Sequence, residues 1–84
     1  MTKEQEDRIV KMSEFLLRSL EISANECNSG TVLSTATNLA INVDRAHARE
    51  EKSENFIKEM NDIDNRANNL KQMFADKCEC KRKS

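Results

Sequence analysis

Between Thr31 and Lys77 the apolar residues recur in alternating steps of four and three, and no Gly or Pro interrupts them. Val32, Ala36, Leu39, Val43 and Ala46 make one seam; Phe56, Met60, Ile63, Ala67, Leu70 and Phe74 make a second. That spacing keeps a narrow greasy stripe on one side of a helix, as in a coiled coil. The seams are out of phase. Extending the first leads to Asp64 and Lys71, so the register slips near Ser53, within the almost wholly polar stretch His47 to Asn55. A slip of this kind locally overwinds a supercoil or marks a change of partner. The pattern predicts one helix over about residues 31–77, roughly 70 Å long, with a joint between two half-helices that pack separately.

Upstream, Thr2-Lys3-Glu4-Gln5 fits a capping box, and Glu4, Glu6 and Asp7 place negative charge at the positive end of a helix dipole. A first helix over about residues 3–27 follows. Ile9, Leu16 and Leu20 lie along one side of it, while Met12, Phe15 and Ile22 run along a flank. A face so broad suits a helix with more than one neighbour. Residues 28–30 hold the turn chemistry: Asn28 or Gly30 can adopt the left-handed conformation that ends a helix, and Ser29 or Thr31 can cap the next. A hairpin is expected. The rival is a helix running straight through Gly30, at a cost of about 1 kcal/mol.

The expected fold is therefore all-α, a single helical hairpin over residues 1–77 with a long second helix, built for a coiled-coil or helical-bundle assembly. Residues 78–84 form a basic tail containing cysteines. Ile9, Leu16, Leu20, Leu39 and Val43 would close the hairpin. The first helix reaches only to about Glu54–Ile57 of the second. Phe56, Met60, Ile63, Ala67, Leu70 and Phe74 would then lie beyond its cover and require another chain.

Composition agrees with long helices. The 84 residues include 35% charged side chains, one Gly, no Pro and no Trp or Tyr, which disfavours sandwiches and barrels. A net charge of -1, with both signs interleaved, provides no field to attract nucleic acid. With no signal-peptide pattern or long apolar run, the expected location is the cytoplasm, and the three cysteines are expected as reduced thiols.

Candidate chemistry is sparse. His47 is the only histidine, and in a hairpin it meets Cys27 only loosely, with no third group to orient the pair. Cys78 and Cys80 at the far tip do not converge with Cys27 and His47 in one hairpin, so no metal site and no cofactor is expected. Glu50, Glu51, Asp62 and Asp64 sit among Arg45, Arg49, Lys52 and Lys58 at the spacing of a solvated, ion-paired helix face. An enzyme is not expected. Cys78 and Cys80 beside Lys77, Lys81, Arg82 and Lys83 would suit double acylation at an anionic lipid surface; the alternative is an unmodified, frayed end with helix-terminal cations.

Two families share parts of this pattern. The leading helix, the Ser29-Gly30 break and the small-residue start Thr31-Val32-Leu33-Ser34-Thr35-Ala36-Thr37-Asn38-Leu39 resemble the small coiled-coil subunits of the BLOC and BORC complexes, over about Arg8 to Met73. That resemblance implies assembly with other helical subunits into an elongated rod regulating lysosome positioning. Asn42-Val43-Asp44-Arg45 and Asp64-Asn65-Arg66-Ala67-Asn68-Asn69-Leu70, leading to Cys78 and Cys80, are similar to pieces of SNARE helices. This implies a membrane-tethering or fusion factor. The expectation is a non-enzymatic subunit or adaptor of a multi-chain helical complex, with different chains favoured as partners over a second copy. The alternatives are an acylated, SNARE-like tether held peripherally at a membrane and a small homodimeric regulator.

Overall fold

The computed structural model describes residues 2–83, with the side chains of residues 79–83 outside the description. Three helices follow one another: α1 Lys3–Asn25, α2 Ser29–Ala48 and α3 Glu54–Lys83. They pack side by side in a body of 50 × 16 × 15 Å, with α2 running against α1 and α3 returning alongside α1. Among the described residues no helix is long and apolar enough to cross a membrane.

The start of α1 follows from local chemistry. The Gln5 N–H donates to Thr2 Oγ1 at 3.2 Å, and the Thr2 N–H donates to Gln5 Oε1 at 3.0 Å. The end of α1 is a Schellman turn: the Cys27 N–H donates to Ala24 O at 3.2 Å and the Asn28 N–H to Ser23 O at 3.0 Å. The left-handed residue is Cys27, with φ 55, rather than Asn28 or Gly30. Asn28 instead caps α2, its side chain accepting from the Thr31 N–H at 3.3 Å, and Gly30 lies in the first turn of that helix.

The expected long helix over residues 31–77 is two helices. Arg49 takes an extended conformation (φ -73, ψ 141), and residues 49–53 reverse the chain. The register slip near Ser53 therefore marks a turn between antiparallel helices, not an overwound joint. Breaking a continuous helix there gives up about four backbone hydrogen bonds, at about 1 kcal/mol each. Folding back buries Phe56, Met60 and Ile63 and partly buries Leu70 and Phe74, at about 1.5–3 kcal/mol for each fully covered side chain. Burial outweighs the broken ladder.

One core results. Val10, Leu17, Leu20 and Ala24 of α1 meet Val32, Leu39, Val43 and Ala46 of α2 and Phe56, Met60, Ile63 and Ala67 of α3. Leu20, Leu39 and Met60 are the largest side chains fully removed from solvent. Ser13 shares the interior, and its hydroxyl has no hydrogen-bond partner among the described residues.

Candidate interaction surface

The residues expected to bind another chain are covered by their own. Phe56, Met60, Ile63 and Ala67 belong to the core, and Leu70 and Phe74 pack against it. The overhang inferred from a two-helix plan vanishes because α3 starts beside the first turns of α1 and climbs along it. Of the residues expected to close the hairpin, Leu20, Leu39 and Val43 are buried, while Ile9 and Leu16 are partly covered at the edge.

The cysteines also depart from expectation. Cys27 and Cys78 form a disulfide, with Cα atoms 5.6 Å apart, across a sequence separation of 51. The hairpin plan put them at distant points; the third helix brings the end of the chain back to the first turn. Cys78 is thus neither a free thiol nor available for acylation, and the side chain of Cys80 lies outside the described residues. Beside the bond, Lys77 Nζ donates to Asn25 O at 3.4 Å. The last turn of α1 has no basic residue of its own, so α3 provides the cation that its negative end favours.

At the opposite end Glu6 holds the start of α3. Its carboxylate accepts from the Ser53 N–H at 2.8 Å and from Ser53 Oγ at 3.2 Å, and Ser53 Oγ in turn accepts from the Phe56 N–H at 3.2 Å. A carboxylate facing free amides at a helix N-terminus is doubly favoured, by hydrogen bonding and by the dipole. Lys52 Nζ donates to the His47 carbonyl, covering the end of α2. Four short contacts thus replace the turn glycine that the sequence lacks.

His47 is exposed near the end of α2, and Cys27 precedes the start of that 20-residue helix, so the two lie at opposite ends of it. Among the described residues no group of three His, Cys, Asp or Glu side chains is arranged to hold a metal ion. Asp62 and Arg66 form an exposed ion pair at 3.1 Å, the arrangement expected of a solvated helix face.

Apolar surface remains elsewhere. Met12, Phe15 and Ile22 of α1 are 55%, 70% and 53% exposed. They sit on the flank seen in the sequence, with Ser19 between them at helical spacing. Next to Met12, Arg8, Arg45 and Arg49 line the groove between α1 and α2, and Arg45 and Arg49 also share a neighbouring hollow with Glu50 and Glu51. On the other side of α1, Glu14, Glu21, Glu59 and Asp62 line the groove shared with α3, along with Arg18 and Arg66. The sequence signal was present in the breadth of the apolar face of α1. The longer stripe of α3, which contributes Phe56, Met60, Ile63 and Ala67 to the core, is the stronger pattern in the sequence.

Compared with known proteins, the chain matches no family model, no curated protein and no solved structure.

Proposed function

We propose that this chain is a non-enzymatic helical module that works by docking another helix on the outer face of α1. The observation that carries the reading is the exposure of Met12, Phe15 and Ile22 along one side of a helix whose other side is already in a complete core. Large apolar side chains grouped on a monomer surface mark a binding site more often than chance decoration. Support for binding over catalysis comes from His47, which stands exposed and remote from Cys27. The BLOC and BORC resemblance implies assembly with other helical subunits into an elongated rod; the present reading draws nothing from that rod or from a lysosomal role. The acylated tether loses its paired cysteines to the Cys27–Cys78 bond.

That bond favours a second element of the proposal: an oxidising compartment in place of the cytoplasm, where disulfides are rare. The test is purification of the chain from its native source alongside a Phe15→Glu, Ile22→Glu variant. A component retained in fixed proportion by the native sequence and lost from the variant supports the docking role. Retention by both, or by neither, contradicts it.

A further inference from the structure

The outer face of α1 has a spacing that maps onto itself. Arg8, Met12, Phe15, Ser19, Ile22 and Glu26 follow in steps of four, three, four, three and four. Five of the six are exposed, and Ser19 is half-buried. Reading the series backwards gives the same steps. Two copies of α1 laid antiparallel about a two-fold axis therefore align Arg8 with Glu26 of the second copy, Met12 with Ile22, and Phe15 with Ser19. Each match is complementary: cation against carboxylate, aliphatic against aliphatic, and a large ring over a small side chain. An isologous contact requires this self-complementarity, because each patch must fit its own image.

We propose that the chain forms a two-fold symmetric dimer through this seam, an inference that rests on reading the outer face of α1 as an interaction surface. The occupant is a second copy. Charge supports that choice, since the end of α1 carrying Glu26 arrives beside Arg8, at the edge of the groove that Arg8 lines with Arg45 and Arg49, the latter two also sharing a neighbouring hollow with Glu50 and Glu51. Arg18, which approaches its own image near the axis, lies in a groove lined by Glu14, Glu21, Glu59 and Asp62 that offsets its charge. The four-three spacing is the one that interlocks neighbouring helices at a shallow angle. Ile9, which lines the groove between α1 and α2 with Met12, and Leu16, partly buried against the core, add apolar area on α1.

The experiment is sedimentation equilibrium on the full chain carrying Cys80→Ser, so that no intermolecular disulfide through that thiol imitates the dimer, from micromolar to hundreds of micromolar protein. A concentration-dependent dimer is expected. Phe15→Glu should weaken it by about a hundredfold, the range of a central aromatic anchor. Its helical content and melting should stay unchanged when measured where both proteins are monomeric. Arg8→Glu alone and Glu26→Arg alone should each weaken the dimer, and the two together should restore it. A chain monomeric at every concentration overturns the proposal, as does a dimer insensitive to Phe15→Glu or one not rescued by the double charge reversal. If the chain is monomeric yet the native-source purification yields a different component lost with Phe15→Glu and Ile22→Glu, the second copy is refuted while the docking role stands. If neither is found, both fail.

Discussion

The two ends of the bundle are closed by different means. At one end a Schellman turn, an asparagine cap and a covalent bond meet: Cys27 in the left-handed conformation, Asn28 capping α2, and Cys78 joined to Cys27. At the other, residues 49–53 have neither glycine nor proline, and the reversal depends on Glu6, Ser53 and Lys52. One end is fixed by local backbone chemistry plus a bond, the other by side chains distant in sequence. The difference teaches that a turn need not announce itself locally when tertiary contacts satisfy the backbone groups it frees.

Breaking the covalent end should have the largest effect. Closing a loop of this length restricts the unfolded chain by about 4 kcal/mol on a chain-entropy basis, so Cys78→Ser should lower stability by about that amount in denaturant melts. Cys27→Gly should cost less than Cys78→Ser, because glycine relieves the left-handed residue by about 1 kcal/mol while removing the same bond. Equal losses would mean that φ at residue 27 stores no strain. In the middle of the bundle, Met60→Ala should cost about 2–5 kcal/mol, read from the same melts. A stripe of α3 waiting for a foreign partner would tolerate that change in the isolated chain.

At the polar end, Glu6→Gln keeps the size and loses the charge facing the start of α3, and a loss of about 1–2 kcal/mol is expected. Its mark is local: amide exchange of Phe56 and Ile57 should speed up while that of Leu20 and Leu39 follows global stability. The smallest effect concerns Ser13. Its buried hydroxyl has no partner among the described residues, so Ser13→Ala should be neutral or stabilising by up to about 1 kcal/mol in thermal melts. A marked loss would reveal a hydrogen bond to that hydroxyl.

Much of the fold was legible in residues whose consequences are local. Thr2 with Gln5 marked the start of α1, residues 25–30 marked its end, and the four-three spacing marked α2 and α3 as helices. The register slip near Ser53 was legible as a discontinuity but not as a reversal. Spacing states that Phe56, Met60 and Ile63 need cover without saying whose helix provides it. The Cys27–Cys78 pairing was hidden for the same reason, since the two meet only once α3 is known to return. Met12, Phe15 and Ile22 are legible in the sequence as a flank of α1, and the three-helix core leaves them exposed.

The most direct test of the three-helix arrangement is a non-reducing peptide map of the chain purified from its native source. Trypsin leaves Cys78 and Cys80 on one peptide, and further cleavage at Glu79 separates them. The account predicts a linked pair joining Cys27 to Cys78. Linkage of Cys27 to a second chain, or a bond between Cys78 and Cys80, would contradict the return of α3 to the first turn, and three free thiols would contradict the oxidising compartment.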